Sequence, residues 1–223
     1  MKRKNKNCFY ISVCLITIFV LWTVLVKFID VKAIGPIGSK VGFATINGLF
    51  HEFTGVNMKL YTVTDWLGLV PVGFVVVFAI LGFIQWIKRK SILKVDYNIL
   101  VLGMFYIVVM VIYILFELVV INYRPVLING NLEVSYPSST TILVMCVMPT
   151  AIMQFNDRIK NILIRRTITF AIIVFIAFMV IGRLISGVHW LTDIAGGVIL
   201  STGLVMMYRF FINLKNLFCK RWL

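Results

Sequence analysis

Three residues that could carry chemistry lie close together towards the carboxy terminus: Arg183, His189 and Asp193. His189 and Asp193 are four residues apart, so on a helix they would share one face. A carboxylate there can accept the N–H of one ring nitrogen and leave the other nitrogen free as a base or nucleophile. Arg183 adds a fixed charge with a planar fork of donors that suits phosphate. Each residue alone could simply meet water in a loop, but ionisable residues between apolar runs favour a functional site.

The composition is that of an integral membrane protein. The 223 residues are 61% hydrophobic and 13% charged, with a mean hydropathy of +1.01, and a soluble domain could not cover so much apolar surface. The formal net charge of +14 would also fit a nucleic-acid partner. The basic residues, however, cluster between the apolar runs, as the positive-inside rule describes. We therefore expect a membrane environment and no nucleic acid.

The sequence predicts no metal site and no cofactor. The two histidines, His51 and His189, leave little room for a histidine-rich metal site. The cysteines show no metal-ligand or disulfide-like spacing and are interpreted as packing residues; they are Cys8, Cys14, Cys146 and Cys219. The oligomeric state stays open.

Apolar runs predict six transmembrane helices in one all-α, polytopic domain, residues 1–223. The first run is too long for a signal-peptide core and lacks a small-residue cleavage site. The predicted spans are Phe9–Ile29, Trp66–Trp86, Tyr97–Ile121, Ser138–Phe155, Thr167–Ile185 and Trp190–Ile212. The fourth is short, and its polar start is expected to lie among other helices. In the glycine-rich connection 30–65, apolar residues at helical spacing indicate a short helix on the membrane surface; they are Phe43, Ile46, Phe50 and Phe53.

Six spans place both termini on one side of the membrane. The basic segments are the head of residues 1–7, the loops 88–94 and 157–166, and the tail after residue 212. All four fall on that side, which the positive-inside rule assigns to the cytoplasm. The other connections, which carry Arg124, Ser138, Arg183 and His189, then meet at the outer face. We therefore predict a multi-pass protein of the cell membrane with an active site at the outer interface.

Two further segments carry weaker signals. Pro137-Ser138-Ser139-Thr140-Thr141 is typical of a helix start, where Ser138 can cap and the first-turn N–H groups are free to bind phosphate. Simple capping explains the same pattern. Arg124-Pro125 lies just outside a span, where an arginine often only extends its side chain to the interface.

Together the three segments resemble the type 2 phosphatidic acid phosphatase (PAP2) superfamily of membrane lipid phosphatases. The family motifs are Lys, six residues and Arg-Pro; Pro-Ser-Gly-His; and Ser-Arg, five residues, His, three residues and Asp. This chain matches them in order with Arg124-Pro125, with Pro137-Ser138, and with Arg183, His189 and Asp193. The resemblance implies that His189 attacks phosphorus to form a phosphohistidine and that Asp193 orients it. The implied ligands of the phosphoryl oxygens are Arg124, Ser138, Ser139 and Arg183.

Two positions depart from the family pattern and could modify the site. Glu117 stands where the family has its lysine, and a carboxylate there would repel phosphate unless protonated or paired. We expect it to pair with Arg124 or Arg183. Thr140 stands where the family has a histidine that serves as general acid, and a threonine hydroxyl does not titrate near neutrality. Other groups that could supply a proton from the outer loops are Glu117 itself, Glu133, Tyr136 and His51.

Two functions stay open at this point. The first is a hydrolase of a lipid phosphate, such as phosphatidic acid, or of a polyprenyl diphosphate, such as undecaprenyl diphosphate. A departing lipid alkoxide needs a proton, whereas a departing phosphate does not, since its second pKa is about 6; Thr140 therefore favours a diphosphate. The second is a catalytically weakened relative that binds lipid headgroups or supports another membrane protein. Glu117 and Thr140 favour this alternative, and the intact Arg183, His189 and Asp193 oppose it.

Overall fold

The computed structural model describes the backbone of residues 2–219 and the side chains of residues 5–214. Within that range the chain is almost entirely helical. Parts of the predicted basic head and tail lie outside the described side chains, namely Lys2, Arg3, Lys4, Lys215, Lys220 and Arg221, and so does Cys219.

Eight α-helices follow one another along the described chain. They are α1 (Lys2–Phe28), α2 (Ala44–Thr54), α3 (Met58–Leu67), α4 (Leu69–Arg89), α5 (Tyr97–Leu118), α6 (Ser139–Arg158), α7 (Ile162–Ile185) and α8 (Leu191–Cys219). Helices α3 and α4 meet at Gly68 and form one hydrophobic segment, Met58–Arg89, so that six segments are long and apolar enough to cross a membrane. The prediction of six spans is confirmed. The second span starts earlier than predicted because the Asn57 side chain caps α3, accepting the Leu60 N–H at 3.0 Å.

Helices α6 and α8 form the centre of the bundle. Their spans are 56% and 50% buried inside the protein, against 17–22% for the other four. They are also the least apolar, with mean hydropathies of 1.2 and 1.5 against 2.5–2.9. A helix that faces lipid must be apolar all round, whereas a helix among other helices can keep polar residues that its neighbours satisfy. The predicted burial of the polar start of the fourth span is confirmed, since Ser138 and Thr141 are both buried.

The first and last helices lie antiparallel along each other. The Ser12 hydroxyl donates to the carbonyl of Gly203 at 2.7 Å, and the rings of Phe9 and Phe210 lie 5.1 Å apart. Both ends of the described chain therefore lie at one end of the bundle, which we call the terminal end. The connections 29–57, 119–138 and 186–190 lie at the opposite end, which we call the site end.

A hairpin forms most of the connection between α5 and α6. Its antiparallel bridges join Tyr123 to Val134 and Ile128 to Asn131. Asn129 and Gly130, at the tip, have φ angles of 50° and 80°, as a type I′ turn requires. The hairpin fixes the backbone positions of two site residues, Arg124 and Ser135. The backbone N–H of Arg124 donates to the backbone carbonyl of Glu133, and the backbone N–H of Ser135 donates to the backbone carbonyl of Asn122.

The short helix predicted in the first long connection is present as α2. Its Asn47 side chain binds Thr192 at the start of α8 twice, through the Thr192 N–H at 3.2 Å and the Thr192 hydroxyl at 3.0 Å. Its first residues lie beside α1, where the rings of Phe43 and Trp22 stack at 5.4 Å. Helix α2 therefore connects the start of α8 to the end of α1 at the site end of the bundle.

Candidate active site

The turn between α7 and α8 is pressed against the connection between α2 and α3. Gly187 has a φ of 66°, and a Cβ atom there would lie 1.8 Å from the carbonyl oxygen of Gly55. Only glycine fits both requirements. The Asn57 N–H donates to the carbonyl of Ser186 at 2.9 Å. This packing fixes the turn that presents His189.

His189 is linked to Asp193 through a serine. The Nδ1 atom of His189 lies 3.1 Å from the hydroxyl oxygen of Ser135 and 3.9 Å from Oδ2 of Asp193, and the Ser135 hydroxyl donates to that Oδ2 at 2.5 Å. Because Ser135 spends its one proton on the carboxylate, it must accept from Nδ1–H. The Nε2 atom then carries the lone pair of a nucleophile.

This arrangement corrects one expectation. His189 precedes α8, which begins at Leu191, so the four-residue spacing does not place His189 and Asp193 on one helical face. Asp193 instead faces back over the turn, where its Oδ2 accepts the Trp190 N–H at 2.9 Å. Its Oδ1 accepts from the Asn122 side chain at 3.4 Å. Asp193 is completely buried, and these donors hold its charge in place.

His189 is neutral at physiological pH. It is 3% exposed, and this burial lowers its pKa to about 4 from an ordinary 6.5. The hydrogen bonding towards Asp193 opposes the shift, whereas the charges of Arg124 and Arg183 add to it. A neutral imidazole with a free Nε2 is the form that can attack phosphorus.

Two buried arginines lie near His189, and each is paired with a carboxylate. Arg183 is 2% exposed, and its Nη2 donates to Asp65 at 2.9 Å and to the Thr140 hydroxyl at 2.5 Å. Arg124 is 8% exposed, and its Nε lies 3.1 Å from Oε2 of Glu133. Both guanidinium groups lie over the ring of Tyr61, at 4.8 Å for Arg183 and 5.7 Å for Arg124. The ring thus holds two like charges close together.

Five buried polar atoms of these residues have no hydrogen-bond partner among the described residues. They are Nε and Nη1 of Arg124, Nε and Nη1 of Arg183, and Nε2 of His189. The contact between Arg124 and Glu133 is close in distance but lacks the angle of a hydrogen bond, so Nε of Arg124 belongs to this set. Unsatisfied buried donors destabilise a fold by about 1–3 kcal/mol each. A tetrahedral phosphate would satisfy the four arginine N–H groups.

The start of α6 combines a cap with free amides. The Ser138 hydroxyl accepts from the Thr141 hydroxyl at 3.0 Å and from the Thr141 N–H at 3.5 Å, and the Ser138 N–H donates to the Asp193 carbonyl. The capping alternative therefore holds for the Ser138 side chain. The first intrahelical bond runs from Ile142 to Ser138, so the amides of Ser139 and Thr140 lie within the first turn and have no acceptor in the helix.

The expected pairing of Glu117 with an arginine is wrong. The hairpin brings Glu133 to Arg124, and α3 brings Asp65 to Arg183, so both arginines already have a carboxylate. Glu117, exposed in the last turn of α5, instead bonds to the side chain of Tyr113 and lines a cavity of about 20 Å³ together with His189 and Ser139.

Several residues of the site were not found from the sequence. Asn122, Ser135, Tyr61 and Asp65 stand in no motif, and only their contacts reveal them. Of the other proton donors considered, Tyr136 is buried with its hydroxyl 2.7 Å from that of Thr23, and this burial raises its pKa. The ring of His51 packs against Trp190 at 5.5 Å, and burial lowers its pKa. The described residues contain no group of three or more His, Cys, Asp or Glu that could hold a metal ion.

An apolar groove leads away from the start of α6. A cavity of about 340 Å³ lies between α4, α5 and α6 and reaches Ser139 and Thr140. A second cavity of about 700 Å³ lies between α4 and α5 and extends to Trp86. Val75 and Tyr106 line both cavities. The groove thus runs from the site end towards the terminal end.

The chain matches the family model of the PAP2 superfamily over residues 119–216. That segment includes Arg124, Ser138, Arg183, His189 and Asp193, so the match confirms the resemblance that the motifs show.

A solved structure has the same fold. It is the crystal structure of a transmembrane PAP2-type phosphatidylglycerolphosphate phosphatase from Bacillus subtilis, with a TM-score of 0.60 and 18% sequence identity. The match covers 92% of this chain and 96% of that chain. A comparison with curated protein sequences gave no match. The chain is therefore a multi-pass helical membrane protein with the fold of a membrane PAP2 protein.

Proposed function

We propose that the protein is a lipid phosphatase that works through a phosphohistidine on His189. The observation that carries this proposal is the group of five unsatisfied buried atoms, four guanidinium nitrogens and one imidazole nitrogen. The arginines lie close enough to His189 for their charges to lower its pKa. Donors of this kind bind a phosphoryl group, and the imidazole supplies a nucleophile for its phosphorus. The match of residues 119–216 to the family model of the PAP2 superfamily supports the same chemistry.

In the first step Nε2 of His189 forms a bond to phosphorus while the bond from phosphorus to the leaving oxygen breaks. Arg124 and Arg183 neutralise the charge of the equatorial oxygens. Asp65 binds only Nη2 of Arg183 and leaves its Nε and Nη1 free for the phosphoryl group. Glu133 lies against Nε of Arg124, and its side chain, 40% exposed, can turn into water when the phosphoryl group binds. The imidazole becomes cationic, and its Nδ1–H is held by Ser135 and, behind it, by Asp193. The carboxylate stabilises that charge.

For the substrate we propose a lipid diphosphate, with a polyprenyl diphosphate as the first choice. Thr140 is engaged with Arg183 and cannot act as an acid near neutrality. A leaving group that needs no proton, such as a lipid monophosphate, therefore suits the site better than an alkoxide. The apolar groove between α4 and α5 is long enough to favour an extended hydrocarbon tail.

A catalytically weakened protein that binds lipid headgroups is the second candidate. The observation that favours it is that both arginines are already neutralised, Arg124 by Glu133 and Arg183 by Asp65. A site of this kind would hold a headgroup without turning it over.

The test is phosphate release by the purified protein in detergent from farnesyl diphosphate, undecaprenyl diphosphate and phosphatidic acid. We expect the diphosphates to be cleaved faster, and a phosphoenzyme that is labile to acid and stable to base to form in the wild type but not in His189→Asn. Faster cleavage of phosphatidic acid would refute the leaving-group argument. No cleavage by the wild type, with activity gained in Glu117→Lys/Thr140→His, would establish the weakened protein instead.

We also propose that the site end faces outward and that both termini are cytoplasmic. The basic loops 88–94 and 157–166 lie at the terminal end, as the positive-inside rule requires. The test uses single cysteines at Lys90, Arg165 or Asn129, in a background without the four native cysteines, and an impermeant thiol reagent on intact cells. We expect labelling at position 129 alone. Labelling at positions 90 and 165 without labelling at 129 would reverse the orientation.

A further inference from the structure

Glu117 lies in the last turn of α5, while Arg124 and Arg183 form their ion pairs with Glu133 and Asp65. It lines the cavity of about 20 Å³ together with His189, Ser135 and Ser139. A cavity of that size holds about one water molecule. Glu117 is also exposed, so that a proton taken up by its carboxylate can pass to solvent.

The second half of a phosphohistidine reaction needs a base. Water must attack the phosphorus, and removal of its proton by a positioned group accelerates such a step by about 10²–10⁴-fold. His189 cannot serve, because its Nε2 carries the phosphoryl group at that stage. Asp193 lies behind Nδ1, where Ser135 and the Trp190 N–H occupy Oδ2.

The other carboxylates and hydroxyls near the site already have hydrogen-bond or ion-pair partners. Asp65 accepts from Arg183, and Glu133 pairs with Arg124. The Tyr136 hydroxyl bonds to Thr23, and the Thr140 hydroxyl accepts from Arg183. Glu117 lines the same cavity as His189, and its side chain bonds to Tyr113, one helical turn earlier, rather than to an arginine.

We propose that Glu117 is the general base that activates the water in the dephosphorylation of His189. The water oxygen bonds to phosphorus, its proton passes to the Glu117 carboxylate, and the bond from phosphorus to Nε2 breaks with its electron pair returning to the nitrogen. Phosphate leaves, and Glu117 releases its proton to solvent. The inference rests on the proposed phosphatase function. It assigns a role to a carboxylate at a position where the family motif has lysine.

The experiment separates the two half-reactions with farnesyl diphosphate labelled in its terminal phosphate. In the wild type we expect phosphate release with little phosphoenzyme at steady state. In Glu117→Gln we expect the phosphoenzyme to form at a rate close to that of the wild type and to accumulate, while steady-state release falls about 100-fold. Glu52→Gln is the matched control, because Glu52 is exposed on α2 and does not line the cavity; it should behave as the wild type.

A second variant excludes a structural explanation. Glu117→Ala should lose turnover as Glu117→Gln does, and added formate should restore part of the phosphate release, because the small acid replaces the missing carboxylate. Normal turnover by Glu117→Gln would overturn the assignment of the base while leaving the phosphatase intact. Equal slowing of phosphoenzyme formation and breakdown would also overturn it. A wild type that forms no phosphoenzyme and releases no phosphate would overturn the proposed function and this inference together.

Discussion

Two polar clusters lie at opposite ends of the bundle. They differ in whether all of their buried polar atoms have hydrogen-bond partners. At the terminal end, the Gln154 side chain donates to the Tyr208 hydroxyl at 2.6 Å and accepts from Arg158. Asn98 donates to Asp157 at 2.9 Å. None of these five residues has a buried side-chain nitrogen or oxygen without a partner among the described residues.

At the site end, by contrast, several buried polar atoms have no hydrogen-bond partner among the described residues. Arg124, Arg183 and His189 are buried, as Gln154 and Tyr208 are, yet five of their atoms have no partner within the described chain. A folded protein satisfies nearly all its buried polar groups, so a cluster that stays open needs a reason beyond packing. From this difference we expect the terminal-end cluster to contribute to stability and the site-end cluster to bind a ligand.

The largest effect is expected for the nucleophile. His189→Ala should lower kcat about 10⁴-fold or more, because no other group can form the covalent intermediate. The matched change at the terminal end is Tyr208→Phe, which removes one buried polar group and should leave kcat unchanged. Turnover by His189→Ala close to that of the wild type would show that the open cluster is not a catalytic site.

Breaking the link behind His189 comes next. Asp193→Asn should lower kcat about 10³-fold, since the amide cannot stabilise the imidazolium charge. Ser135→Ala should have a smaller effect, about 10-fold to 100-fold, because Asp193 stays 3.9 Å from Nδ1 and can still orient the ring. The measurement is kcat with farnesyl diphosphate. An effect of Ser135→Ala larger than that of Asp193→Asn would show that Ser135, and not Asp193, contributes most to orienting and stabilising the His189 ring.

The two arginines should each contribute to transition-state charge. Arg124→Ala and Arg183→Ala should each lower kcat/KM about 10²-fold or more, as the removal of a donor to developing charge does. Arg158→Ala is the matched control, because Arg158 binds Gln154 at the terminal end. Equal losses in all three variants would indicate a general loss of folding rather than a phosphate site.

The terminal-end cluster should show the opposite behaviour. Gln154→Met removes the acceptor of Arg158 and the donor to Tyr208 from the buried centre of α6, and should lower the free energy of unfolding by about 1–3 kcal/mol. Thermal unfolding in detergent measures the loss of stability. At temperatures well below the unfolding midpoint, kcat should be the same as in the wild type. A fall in kcat at temperatures where the variant is folded would place this cluster in the mechanism.

The smallest effect is the protonation of His189 itself. Because burial lowers its pKa to about 4, the ring should stay mostly neutral at pH 5 and gain its proton only as the pH falls further. In His51→Gln the remaining histidine is His189, and its ring ¹⁵N shifts report the titration directly. A midpoint near the ordinary 6.5 would show that the site is hydrated and open in solution.

The membrane class, the six spans and the segments that carry the motif residues could all be predicted from the amino-acid sequence. These features are local: a run of apolar residues predicts a span, and charge between the runs predicts the side on which a loop lies. The same local information identified Arg124, Ser138, Arg183, His189 and Asp193. It also indicated which span has a buried polar start, because α6 is the least apolar of the six.

The hydrogen bonds and ion pairs between those residues could not be predicted from the sequence, because they depend on how the helices pack. Asp65 and Arg183 are 118 positions apart, and Ser135 and His189 are 54 apart, so no periodicity or spacing could join them. The expected pairing of Glu117 with Arg124 rested on their closeness in sequence, and it fails because α5 ends at Leu118 while the hairpin brings Glu133 to Arg124 instead. Ion pairs and hydrogen bonds depend on distances of 3 to 4 Å between side chains, and only the packing of the helices and the hairpin sets those distances.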